Sequence, residues 1–316
     1  MSKQVFFSFV LAILSFITVR KIHTAGIEQY HFLQSPVFQK QNGWFDLSEP
    51  SLILSLPYEL RDVSGLTKYS YHEVACIQDD AGVIYIYDLN TNSITKTLSF
   101  NNSGAFDGLS FVDSSFYVLN SDATLTNLYF KDTLIQDNLR RFKVPAWENE
   151  GLCYDAKDHR LLVAPKSKIH RGAAYASMRG IYSVDLVSGK LNQSPIFEID
   201  VNQIRDYAIN QNIPLPKRPG SLVDDSTSYY LDFIPSSIAV HPKTDEIYVI
   251  SSTDRTLTIF DKTGVIQNFV TLDPTIFSKP EEITFLPDGD LIVTNVGVMG
   301  IPTLIRFDWK LGNKSI

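Results

Sequence analysis

Three carboxylic acids, Asp107, Glu150 and Glu281, stand second in related phrases: Phe106-Asp107-Gly108-Leu109, Asn149-Glu150-Gly151-Leu152 and Pro280-Glu281-Glu282-Ile283. Two further echoes, Val63-Ser64-Gly65-Leu66 and Pro235-Ser236-Ser237-Ile238, place a hydroxyl at the same position. Carboxylates gathered in one place repel one another unless a cation or raised pKa values relieve them. Oxygen donors without His or Cys favour a hard ion, Ca²⁺ or alternatively Mg²⁺, over zinc. Asp107, Glu150 and Glu281 are therefore the candidate metal ligands. Water around partly protonated carboxylates is the competing arrangement.

What gathers them is the spacing. From the third residue of one echo to the next, the steps are about 43, 43, 86 and 45 residues, the length of a four-stranded propeller blade. The segments between are rich in Val, Ile, Tyr, Phe and Thr and are punctuated by turn residues. The pattern predicts an all-β chain folded as a five-bladed β-propeller, with six blades as the alternative if the long step hides another. The last unit yields only three strands, and Ser51–Leu56 reads as a lone strand that supplies the fourth and closes the ring. The expected outer strand of the second blade lies near Arg141–Val144, and that of the third over Pro195–Val201.

In such a ring the innermost strands start at one mouth of the central channel, and each second strand returns there about 14 residues later. Asp79 and Asp122 join Ser64 and Ser236 as a second rank behind the acids. The long step is read as two insertions in the third blade, one between Pro165 and Gly180 and one before Pro235. The first carries Lys166, His170, Arg171 and Arg179, candidate lid residues over the acidic mouth. The second holds a helix-like stretch around Val201, Ile204 and Ala208, then Lys217, Arg218, Asp224, Asp225, Tyr229 and Tyr230. Long loops on a rigid scaffold often carry function, although a solvated surface loop has the same composition.

The chain of 316 residues is 44% hydrophobic, ample for a large core, and its net charge of −7 argues against nucleic acid as a partner. Residues 1–26 read as a signal peptide or an N-terminal membrane anchor: Lys3 precedes an apolar run from Val5 to Val19 that is short for a span. This predicts a propeller outside the cytoplasm, periplasmic or secreted, touching a membrane only through that segment. Residues 27–50 read as a linker and 51–316 as the propeller domain. Cys76 and Cys153 fall in non-adjacent blades and are expected to be unpaired. Asn101 opens a glycosylation-type triplet. The chain holds no nucleophile elbow, phosphate loop or HExxH helix.

Taken together, Leu60–Leu66, Gln78-Asp79, Phe106–Gly108, Asn149–Tyr154, Pro235–Pro242 and Pro280–Ile283 make the chain resemble the SdiA-regulated (YjiK-like) β-propeller family. The resemblance spans essentially everything after the N-terminal segment. It implies five blades and a calcium ion near the axis held by Asp107, Glu150 and Glu281, and it implies no defined activity. Two departures stand out: Glu282 where the pattern has Gly, and Asn295-Val296 where an acid often follows the strand. The reading is an exported calcium-binding propeller, monomeric, that engages a small molecule or an envelope protein. The alternative is a metal-dependent hydrolase of a phosphoester, lactone or other ester at the channel mouth.

Overall fold

The computed structural model describes residues 45–100, 104–131, 133–141, 144, 146–216, 230–297 and 300–309. The proposed signal or anchor, the Asn101 triplet and most of the second insertion (217–229) lie outside the described residues. Five small antiparallel sheets form five blades. Blade one is β2 (Val63–Lys68), β3 (Glu73–Gln78), β4 (Val83–Asp88) and β5 (Ser93–Ser99). Blade two is β6 (Phe106–Val112), β7 (Ser115–Asn120), β8 (Thr124–Lys131) and β9 (Thr133–Arg141). Blade three is β10 (Asn149–Asp155), β11 (Arg160–Pro165), β12 (Met178–Asp185), β13 (Lys190–Leu191) and β14 (Phe197–Asp200). Blade four is β15 (Pro235–Val240), β16 (Ile247–Ser251), β17 (Thr256–Phe260) and β18 (Ile266–Thr271). Blade five is β19 (Pro280–Phe285), β20 (Leu291–Asn295) and β21 (Thr303–Phe307), completed by β1 (Leu52–Ser55) from the start of the domain.

Successive side chains of a strand point to opposite faces of its sheet. In β3, Val74 and Cys76 enter the cluster shared with blade five, whereas Ala75 and Ile77 enter the one shared with blade two. Five such clusters, one between each pair of neighbours, form the core. Burial on both faces explains why β11 and β20 read as nearly continuous apolar runs. Phe45 and Leu47, in the stretch read as linker, pack against the cluster between blades four and five.

Two strand expectations are corrected. The outer strand of blade two is Thr133–Arg141, its pairing with β8 beginning at Lys131 opposite Thr133, ahead of the expected Arg141–Val144. The outer strand of blade three is split: β13 pairs with the C-terminal half of β12, and β14 with its N-terminal half. The chain then enters helix α1 (Val201–Asn210), where the Asp200 carboxylate accepts from the Asn202 N–H at 3.0 Å and caps the first turn. Val201, Ile204 and Ala208 seat the helix on the cluster between blades three and four.

The closing strand is in register with the last one, Leu52 opposite Arg306 through Ser55 opposite Thr303. Leu56 just beyond it is 5% exposed in the cluster of blades five and one. Without β1, β21 becomes an open edge and that cluster loses a wall. Deleting residues 51–56 is expected to lower the melting temperature of the whole domain by on the order of 10 °C or more, read by circular dichroism. An unchanged melt would show that the ring does not depend on this closure.

Candidate channel-mouth site

Each inner strand begins with the same irregularity. Val63 pairs with Gln78 and Gly65 with Ile77, so Ser64 is an extra residue with no partner in the ladder. The same skip leaves out Asp107, Glu150, Ser236 and Glu281. A bulge of this kind re-aims the extra side chain out of the plane of pairing. The second position of every echo is thus a bulged residue, all five at the end where the second strand returns.

The following position explains the glycines. A Cβ on Gly65 would lie 2.8 Å from the Leu109 nitrogen, and one on Gly108 would lie 2.7 Å from the Glu150 carbonyl oxygen. Inner strands approach backbone to backbone here, and only glycine leaves room. Blades four and five depart from this rule. Ser237 uses its hydroxyl as a bridge, accepting from the Ile283 N–H at 3.1 Å and donating to Glu282 Oε2 at 2.8 Å. Glu282 is 4% exposed, and its carboxyl is pushed well above the usual range by burial, with the neighbouring charges of Glu281, Glu150 and Asp107 adding to the shift. That shift favours its protonated form. Sequence reasoning counted Glu282 as a departure and left it out of the site; its adjacency to Glu281 was the available signal.

The bulged residues divide in two. The serines tie neighbouring blades: Ser64 donates to the Phe106 carbonyl at 2.5 Å, and Ser236 to the Glu281 carbonyl at 3.0 Å. The acids face the mouth. Asp107 accepts from the Ser121 hydroxyl; burial raises its pKa against that bond, and Asp79 adds to the rise. Glu281 accepts from the Ser252 hydroxyl at 2.8 Å, with the Lys279 ammonium at 3.9 Å. Glu150 meets the Lys166 ammonium at 2.5 Å. Burial still pushes the Glu150 pKa up to about 7, with Asp107 and Glu281 repelling its charge and Lys166 only partly offsetting them. Burial disfavours the charged form of Lys166, but Glu150, Glu281 and Asp107 together hold its pKa above the usual value.

The other candidates are spread more widely. Asp122 caps its own turn, accepting from the Thr124 N–H at 2.9 Å. Lys166 belongs to the mouth itself. His170 packs edge-on to Tyr175 with ring centres 4.9 Å apart, and Arg171 lies over the Trp147 ring at 5.2 Å. Arg179 is not placed as a lid residue. It is 7% exposed and donates to the carbonyls of Asp232 at 2.9 Å and of Ala176 and Met178 at 3.2 Å each. It anchors the start of β12 to the segment before β15. Cys76 and Cys153 are unpaired thiols whose pKa values burial raises, Cys76 in the core and Cys153 half-buried. His241, pushed down to about 4 by burial, is neutral and accepts from the Lys243 and Thr244 N–H groups through Nδ1. Among the described residues, no three or more His, Cys, Asp or Glu side chains stand together as a ready-made metal cage.

The fold and this bulged ring define a five-bladed β-propeller. Compared with protein-family models and with curated proteins, the chain matches none. Among solved structures, glutaminyl cyclase from Myxococcus xanthus is similar with a TM-score of 0.55 at 11% identity, over 82% of this chain and 95% of that one. Virginiamycin B lyase from Staphylococcus aureus gives a TM-score of 0.41 at 14% identity, over 80% and 72% respectively. At 11% identity the likeness to the glutaminyl cyclase shows the propeller architecture and nothing of chemistry.

A carboxyl whose folded pKa lies above its unfolded one holds its proton more tightly when folded. Its contribution to stability is fully present below the unfolded value and is lost as pH rises through the folded one. For Glu150 the window runs from 4.5 to about 7. Between pH 5 and pH 8 the native protein is expected to lose on the order of 3 kcal/mol relative to Glu150→Gln in urea unfolding. Parallel pH profiles would contradict the buried placement of this carboxyl.

Proposed function

We propose that this protein is an exported calcium-binding propeller that serves as a ligand-binding or interaction module. The observation that carries the cation is the crowding of Asp107, Glu150, Glu281 and Glu282 close enough to perturb one another, with Lys166 as the cation paired with Glu150. The donor set fits a hard divalent ion: every acidic group is a carboxylate and neither His nor Cys joins it. Asp107, Glu150 and Glu281 would hold it. A bound divalent ion supplies a charge that ties blades two, three and five together. The ammonium of Lys166 already stands among these carboxylates, so such an ion takes its place. Export rests on the charged and apolar pattern of the first 26 residues. The kinship with SdiA-regulated propellers rests on the order and spacing of the echoes.

Ester hydrolysis gains no support from the arrangement. Lys166 and Arg171, the groups suited to hold an anionic substrate, face a carboxylate and an indole ring. The interaction reading needs only the rigid ring and its mouth.

The test is a thermal melt of chelated protein with Ca²⁺ or Mg²⁺ added back. A ligand of the native state raises the melting temperature with the logarithm of its concentration over Kd. Ca²⁺ is expected to raise the melt of the native protein. Glu281→Gln abolishes the effect, and Lys166→Met strengthens binding by about tenfold, since it removes a like charge. No shift in either the native protein or Lys166→Met would overturn the cation reading and leave a binding propeller with a water-filled mouth.

A further inference from the structure

The acidic mouth is the centre of a wider face. Inner strands begin there and second strands end there, so the segments before β2 and β10 and the connections β11–β12 and β20–β21 all lie on it. Those four segments leave large apolar side chains in water: Tyr58 at 74% exposure, Ile301 at 70%, Trp147 at 43% and Tyr175 at 38%. Tyr58 and Ile301 sit on adjoining segments, where the Leu56 N–H donates to the Pro302 carbonyl at 2.8 Å and the Gly297 N–H to the Arg61 carbonyl at 2.9 Å. Trp147 stands beside the acids. Its N–H donates to Ser167 Oγ at 2.7 Å, and the Lys166 N–H donates to the Glu148 carbonyl at 2.8 Å. Arg61 lies over the Tyr58 ring at 4.3 Å, as Arg171 lies over that of Trp147. Exposed aromatic side chains in company with arginine are the composition of protein-binding surfaces.

The charge at the centre says what a partner brings. Lys166 shows that the mouth accepts an alkylammonium: its Nζ meets Glu150 at 2.5 Å, and Glu281 and Asp107 add to its stabilisation. The carboxylates outnumber that ammonium. Glu281 has the exposed Lys279 at 3.9 Å, and among the described residues Asp107 forms no ion pair. The side chains of Glu150 and Glu281 keep 14% and 17% exposure, so water and a ligand reach them. A second ammonium on a flexible stem meets uncompensated negative charge here, and apolar neighbours on its chain cover the rim. Arg61 and Arg171 repel a run of cations, which selects a single lysine among apolar residues.

We propose that the mouth face docks a partner polypeptide through one lysine flanked by apolar residues, its ammonium among Asp107, Glu150 and Glu281 and its neighbours on the rim around Trp147. This names the partner class for the interaction module proposed above and rests on that reading.

The test is a calorimetric titration of the full chain, in chelator, with the peptide acetyl-Ser-Leu-Phe-Lys-Leu-Tyr-Ser-amide and with its norleucine counterpart. Saturable binding is expected for the lysine peptide. Norleucine, which keeps the hydrocarbon and removes the charge, weakens binding by about tenfold or more. Glu281→Gln and Trp147→Ala each weaken the lysine peptide severalfold. Tyr71→Ala, which alters an exposed aromatic on the opposite face, leaves it unchanged. The proposal is overturned if the lysine peptide gives no saturable binding, if norleucine binds equally, or if Trp147→Ala binds as tightly as the native protein. Peptide failure with an intact Ca²⁺ shift of the melt removes this docking and leaves the cation. Peptide binding without a Ca²⁺ shift keeps the docking and removes the cation.

Discussion

Everything in this molecule follows from bringing five strands to one axis. At Gly65, Gly108 and Gly151 neighbouring inner strands meet so closely that a methyl group has no room. The bulge one residue earlier is the counterpart of that contact. It releases one side chain per blade from the ladder. Residues some 43 positions apart in sequence become neighbours around the axis.

That geometry sets the electrostatics. Where the released residue is a serine, its hydroxyl donates to a carbonyl of the next blade and the ring is stitched locally. Where it is an acid, the group is partly stripped of water among others of its kind, with Lys166 as the nearby counter-charge of Glu150. Ser237 and Glu282 occupy positions held elsewhere by glycine, and a hydrogen-bonded pair takes the place of close backbone contact. Burial of the Glu282 carboxyl raises its pKa well above the ordinary value and so favours the neutral form. Burial and mutual repulsion thus both favour protonated carboxyls at the acidic mouth.

Much of this was legible in the chain. Blade count, the closing strand and the five ring positions follow from a period and a phrase, because each blade repeats the same steric problem at the axis. Less legible was anything set by local pairing or by side-chain reach. The outer strand of blade two starts early, with Thr133 already paired to Lys131. Lys166 lies one residue past the end of β11, which makes it a partner of Glu150 instead of part of a lid. Arg179 has the look of a surface cation, but β12 draws it inward onto backbone carbonyls. Glu282 was hidden by its own position, since a third-place residue is ordinarily read for packing.

The most direct measurement of the axial account is a carbon-13 NMR titration of the glutamate side-chain carboxyls, with Glu150 and Glu282 assigned through their Gln variants. The account predicts that Glu150 titrates near pH 7 and that Glu282 titrates well above the ordinary glutamate value. If both carboxyls titrate at the ordinary glutamate value of about 4.3, the acids do not share a desolvated ring and the central claim fails.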